Sequence, residues 1–262
     1  MSRISILSLN IWNYNEPWMH RRNLIIDLVK RSSPDLIGFQ EVRHDGNRDV
    51  DGKNQAEQLA EFLPDYQYIF RPAQCDPERD QWEGLAIFSR HPFVNSSFTE
   101  LSRDSSDNRD NHQRIVLHGE FQIGGERIHL FDTHLSLSRD GRVRTTREIT
   151  AFTDQYPGPK VLVGDFNEVS HEQPIRHVVT QAGFIDSWEM LHRKDTGLTY
   201  SNSNAYVKNE LENGGRRIDY VFSRDGAEVE RCEIVGNVPD DEGKFPSDHF
   251  GLFADVLLGN GR

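Results

Sequence analysis

Val161-Leu162-Val163-Gly164-Asp165-Phe166-Asn167 is an apolar run that ends in a carboxylate and a carboxamide. Its aliphatic start predicts a strand buried on both faces. Asp165 and Asn167 stand at i and i+2, so the pleat directs both to the same face. The pattern is not isolated. Glu41, His134, Asp219 and the pair Asp248-His249 each lie at or just beyond the end of their own apolar run. Acids, amides and imidazoles at strand ends suit hydrolysis of a phosphoester, in which a phosphate is neutralised, a water deprotonated and a leaving oxygen stabilised.

Working outward, short apolar runs alternate with helical patterns and hairpin signals, without repeats. A strand over residues 3 to 11 leads through Asn15-Glu16-Pro17 into a helix with Leu24, Ile25, Leu28 and Val29 on one face, stopped at Ser33-Pro34. Asp35 to Glu41 reads as a nearly continuous apolar strand with a polar end. A helix near Gln55 to Phe62 follows, then strands at Tyr66 to Phe70, Gly84 to Phe88 and Phe93 to Leu101. Gly124-Gly125 joins a hairpin of Arg114 to Phe121 and Arg127 to Leu135. A helix over 142 to 156, with Thr145, Ile149, Phe152 and Tyr156 inward, returns the chain to Val161. Strands near 217 to 223, 227 to 235 and 250 to 257 close the domain. The order predicts an α/β fold of two mainly antiparallel sheets packed face to face with helices outside.

The 262 residues fit one large domain or two small ones. Polar segments at 43 to 54, 103 to 111 and 202 to 215 each join strands that need each other, so residues 1 to 262 read as a single domain. No run approaches the roughly 20 apolar residues of a transmembrane helix. The N-terminus reads as an alternating strand rather than a signal peptide, which makes a cytoplasmic location the expectation. Cys75 and Cys232 have no metal-ligand spacing. A net charge of −12 argues against nonspecific clinging to nucleic-acid backbones, although a local basic patch and bound cations offset a bulk field. Arginines do cluster, at Arg103, Arg109 and Arg114, and again from Arg139 to Arg147, where an outer helix face is expected.

The series Leu9-Asn10, Gln40-Glu41, Glu83 through Arg90, Thr133-His134, Gly164-Asp165-Phe166-Asn167, Arg217-Ile218-Asp219-Tyr220-Val221 and Ser247-Asp248-His249 resembles the endonuclease/exonuclease/phosphatase superfamily. That group includes deoxyribonuclease I, apurinic endonucleases, deadenylases, inositol polyphosphate 5-phosphatases and neutral sphingomyelinases. The resemblance spans Asn10 to His249 and implies a four-layered α/β sandwich with its site at one edge of the two sheets.

Chemistry and resemblance together suggest roles. Glu41 and Asp248 form the expected metal site, and an oxygen-rich set without a thiolate cluster favours Mg²⁺, with Mn²⁺ as the other choice, over Zn²⁺. Asn10 would hold Glu41 or a metal-bound water. His249, beside which the resemblance places Asp219, suits activation of the attacking water. Asp165 would orient the nucleophile or a second metal, Asn167 would donate to a phosphate oxygen, and His134 would donate to the same phosphate or protonate the leaving oxygen. Glu83 is expected to orient His134, as the equivalent carboxylate does in the deoxyribonuclease branch. Arg114 is a phosphate-contact candidate. Trp12, Tyr14, Trp18 and Trp82 offer either an aromatic rim for a base or lipid head group, or core packing.

The substrate branch is less legible. Asn204-Ala205-Tyr206-Val207 and the run after Gly215 look somewhat like neutral sphingomyelinases, whereas Pro246 to Leu252 looks like the tyrosyl-DNA phosphodiesterase end. His134 stands where abasic-site enzymes use a tyrosine. The favoured reading is a phosphodiesterase acting on DNA or RNA. Alternatives are a phospholipid phosphodiesterase, a small-molecule phosphatase and, remotely, a non-catalytic binding module. No obligate protein partner is inferred.

Overall fold

The computed structural model describes residues 2–259. The chain lays down β1 (Ser2–Asn10), β2 (Leu36–Asp45), β3 (Gln67–Asp76) and β4 (Gln81–Ser89), then β5 (Phe93–Leu101), β6 (Arg114–Ile123), β7 (Glu126–His134) and β8 (Lys160–Asp165). Short β9 (Ile185–Asp186), β10 (Tyr200–Ser201) and β11 (Gly215–Arg216) precede β12 (Asp219–Arg224), β13 (Ala227–Val235) and β14 (Gly251–Leu258). One six-stranded sheet runs β13-β14-β1-β2-β4-β3, the other β5-β6-β7-β8-β12-β9, and β10 pairs with β11 alone.

Both large sheets are mixed. β1 lies parallel to β2 and β7 parallel to β8, while the other pairings are antiparallel. Parallel neighbours need a crossover. Here α1 (Trp18–Ser32) and α3 (Arg139–Thr153) supply it. The capped α2 (Gln55–Ala60) follows β2, whereas α4 (Gln173–Arg176), a π-helical turn at His177–Gln181 and α5 (Ser187–Leu191) follow β8. These last elements are too short to show a periodicity.

Three apolar layers hold the sandwich together. Ile4, Ile6, Val161 and Val163 pack between the sheets. Leu7, Leu9 and Phe39 pack outward with Ile25 and Val29 of α1, and Leu162 and Phe131 pack outward with Ile149 of α3. β1 is therefore apolar on both faces, as a central strand requires. Helix α1 ends at Ser33, which is left-handed (φ 47°) and returns its N–H to Val29 O.

Three local expectations change. β2 does not end at Glu41 but continues to Asp45; Glu41 has φ 55°, at a register irregularity between Phe39 and Val42 that re-aims its side chain. Tyr14 and Trp18 are core residues, because Trp18 Nε1 donates to buried Gln58 Oε1 at 2.9 Å and Gln58 in turn donates to the Tyr14 hydroxyl. Arg142 is not on an outer face. It is buried and holds Glu168 Oε2 through Nε and Nη2 at 3.1 and 2.9 Å.

Candidate active site

Strand register assembles the site. Across β7, β8 and β12, His134 lies opposite Asp165 and Asp165 opposite Asp219. Residues level on adjacent strands share a face, and Asp165 shares its face with Val161 and Val163, which point into the space between the sheets. From the other sheet Asn10, level with Gln40, points into the same space. Its Nδ2 donates to Glu41 Oε1 and to Asp165 Oδ2, both at 3.1 Å. The Ser247-Asp248-His249 turn before β14 completes the edge.

Thr199 ties this turn to β12. Its Oγ1 accepts from the backbone N–H groups of Ile218 and Asp219, and its carbonyl accepts from Phe250 N–H. Within the turn, Ser247 Oγ accepts from His249 N–H, and Asn204 Nδ2 donates to Ser247 O. His249 Nδ1 consequently stands 2.9 Å from Asp219 Oδ2, and its Nε2 faces Asp165 Oδ2 at 3.8 Å. Burial opposes charge on this imidazole. Asp219, Asp165 and Asp248 outweigh it, so its pKa stands well above the ordinary histidine value. Burial and then Asp219 push Asp165 up to about 7.

His134 carries a different charge logic. Burial, then Arg114, pulls its pKa well below the ordinary value, which keeps the ring neutral. Arg114 Nη1 stands 3.0 Å from Nδ1. Asn167 Nδ2, which also donates to Leu135 O, stands 3.1 Å from Nε2, so each ring nitrogen faces a donor and a neutral ring accepts from one of them. Nε2 also faces Asp165 Oδ2 at 3.4 Å. Asn167 is left-handed (φ 51°), a conformation supported by its N–H donating to Asp165 Oδ1. Arg114 Nε is buried without an acceptor among the described residues, a free donor beside the row.

Glu83 does not orient His134. It makes no hydrogen bond or ion pair to that ring among the described residues; it stands opposite Arg43 in the β2–β4 register and pairs with Arg43 Nη1 at 3.8 Å. Its charge acts on Glu41 instead, whose pKa is raised by burial and then by Glu83. Asn13, a residue missed in the sequence, donates to Glu41 Oε2 at 3.0 Å.

The site is short of positive charge. Burial, opposed by His249 and reinforced by Glu41, raises Asp248 to about 6. Asp219 Oδ1 is buried without a partner among the described residues. Asp165, Asp219 and His249 have ligand atoms within 4.8 Å of one another and form a cluster able to hold a metal ion. Carboxylate oxygens with a single type of nitrogen donor and no thiolate fit a hard divalent cation.

A family model described as the Endonuclease/Exonuclease/phosphatase family matches residues 7–249. The chain belongs to that family. Members of the endonuclease/exonuclease/phosphatase family are hydrolases of phosphoesters and are generally metal-dependent. The chain is 26% identical to Nocturnin of Drosophila melanogaster over 92% of its own length and 42% of that protein's. It spans about half the length of the curated relatives it matches. Among solved structures, D. rerio TDP2 complexed with a single-strand DNA product superposes with a TM-score of 0.76 at 17% identity, covering 98% of this chain and 100% of that one. The Bacteroides thetaiotaomicron mannosyl-6-phosphatase superposes at 0.74 with 21% identity and 97% and 99% coverage. Both establish the family's sandwich fold. No helix among the described residues is long and apolar enough to cross a membrane.

Proposed function

We propose that this chain is a metal-dependent phosphodiesterase that cuts DNA or RNA by in-line attack of water. The observation that carries the reading is the buried His249–Asp219 pair at 2.9 Å, aimed past Asp165 into the row that contains His134. In molecules in which His249 is unprotonated, its Nε2 takes the proton of the attacking water while Asp219 stabilises the resulting imidazolium through Nδ1. Asp165, facing the same nitrogen, orients that water. Arg114 and Asn167 donate to phosphate oxygens, and His134 serves the same phosphate or the leaving oxygen. Glu41 and Asp248, with Asn10 steadying Glu41, would hold Mg²⁺ or Mn²⁺, which supplies Lewis-acid neutralisation of phosphate charge.

A local cluster of positive charge supports a nucleic-acid substrate despite the acidic chain. Burial, then Arg114 and Arg103, lower the His112 pKa, with Glu41 opposing and Arg43 adding to them, so guanidinium charge acts on the loop that carries His112. The structural likeness to TDP2, solved with a single-strand DNA product, adds to this reading. The likeness to a mannosyl-6-phosphatase supports a second one, a small-molecule phosphomonoesterase.

A panel decides between them: single- and double-stranded DNA, RNA, sphingomyelin and hexose 6-phosphate, each with Mg²⁺, Mn²⁺ or chelator. The proposal expects metal-dependent strand scission. Phosphate release from the sugar with intact nucleic acid would select the phosphatase, and phosphocholine release would select the phospholipid alternative.

A further inference from the structure

Arg21 is fully buried in α1 yet has no carboxylate partner among the described residues. Burying an unpaired guanidinium is costly unless every donor is satisfied. Here the fork is spent on main-chain carbonyls. Nη1 donates to Ile11 O at 2.7 Å and Pro246 O at 3.1 Å. Nη2 donates to Trp12 O at 3.3 Å, Asn13 O at 2.8 Å and Asn15 O at 2.6 Å, and Nε also reaches Asn15 O at 3.1 Å. The guanidinium carbon lies 4.9 Å from the Trp12 ring centroid. Burial brings its pKa down to about 10, opposed by Asp248, which leaves it a cation at neutral pH.

The acceptors belong to two turns far apart in sequence. One follows β1 and contains Trp12 and Asn13, both with positive φ (58° and 34°), a conformation that residues with side chains hold only when something outside the turn supports it. That turn carries the Asn13 amide on Glu41. The other acceptor, Pro246, immediately precedes Ser247-Asp248-His249. We propose that Arg21 is a positioning residue that clamps these two turns together and so fixes Glu41, Asp248 and His249 relative to one another. The inference rests on the phosphodiesterase reading for its catalytic consequence, although not for the clamp itself. Lysine keeps the charge but not the planar fork, so Arg21→Lys separates the two contributions.

The catalytic test is a double-mutant cycle on the metal-loaded full chain, with bis(p-nitrophenyl) phosphate as probe. Arg21→Lys and Asn13→Ala should each lower kcat at least fivefold with KM changed less than threefold. Because Arg21 acts partly through Asn13, the double variant should fall short of the product of the two losses by more than twofold. A merely structural arginine predicts multiplicative losses; that result, a smaller loss of kcat, or a loss confined to KM would overturn the proposal. Amide exchange in the wild type reads the clamp without substrate and without any variant. Trp12 and Asn15 in one turn should open in the same event as His249 and Phe250 in the other, with one free energy and one denaturant dependence. Independent openings would overturn it. If the wild type hydrolyses no phosphoester, the functional reading fails while exchange still decides the clamp.

Discussion

The Asn10 amide reaches Asp165 Oδ2 at 3.1 Å, from one sheet to the other, and with the same nitrogen reaches Glu41. One side chain therefore sets the spacing between the expected metal ligand and the residue that faces the base. Asn10→Ala leaves a buried Asp165 oxygen and a part-buried Glu41 oxygen short of a donor, at a cost of about 1–3 kcal/mol. It should lower kcat by roughly 10- to 100-fold with little change in KM, the range over which misplaced groups act. Steady-state kinetics and urea melts read the two effects separately.

Arg142 binds Glu168 and also donates through Nη1 to Ser136 O at 3.0 Å, joining α3 to the segments that follow β7 and β8. Both partners are buried. Arg142→Leu strands a buried carboxylate and should cost about 3–5 kcal/mol. Arg142→Leu with Glu168→Leu should recover most of that loss. A double variant no more stable than the single one in urea unfolding would show that the pair contributes more than mutual neutralisation.

Asp132 lies wholly buried between the sheets, where Gln40 Nε2 donates to its Oδ1 at 2.7 Å. Asp132 Oδ2 and Gln40 Oε1 are both buried without partners among the described residues. Burial, opposed by Gln40, holds the carboxyl well above its ordinary range, so the folded protein keeps a proton that the unfolded chain releases. With a raised folded-state pKa, the stability is fully present below the unfolded value and declines as pH rises toward the folded one. Asp132→Asn removes this dependence. The Tm of the variant minus that of the wild type should grow from pH 5 to pH 8; a constant difference would mean that Asp132 is ionised in the fold.

The opposite sign applies to His118 and His129, which form a directed chain. Since Pro157 O accepts from His129 Nε2, His129 Nδ1 must accept from His118 Nε2, and His118 Nδ1 from Ser97 Oγ. Protonating either ring breaks a link. Burial, then His129, lowers His118 to about 3, and burial lowers His129. A depressed folded-state pKa gives stability that is present above the ordinary histidine range and lost as pH falls toward the folded value. Wild-type Tm should therefore fall more steeply than that of His118→Phe between pH 6.5 and pH 4, a contrast that calorimetry resolves.

Glu41, His134, Asp165, Asp219 and His249 were legible because each ends or interrupts a run whose burial is written in its residue types. The two-sheet arrangement was legible for the same reason. What escaped depends on partners distant in sequence. Arg142 resembles any solvated helix arginine until Glu168 is brought to it, and Arg21 until Pro246 is. Asn13 and Thr199 act through turn geometry that no periodicity announces. Glu83 was misassigned because resemblance supplied a partner, whereas the β2–β4 register turns its carboxylate toward Arg43 and Glu41.

The central claim is that His249, held by Asp219, takes the proton of the attacking water. Single-turnover cleavage of the substrate identified by the panel, at saturating Mg²⁺ or Mn²⁺, should be compared for wild type and His249→Ala. General-base catalysis is worth roughly 10²–10⁴-fold. A loss in that range, with substrate affinity retained, is the predicted result. Cleavage by His249→Ala within tenfold of wild type would contradict the account.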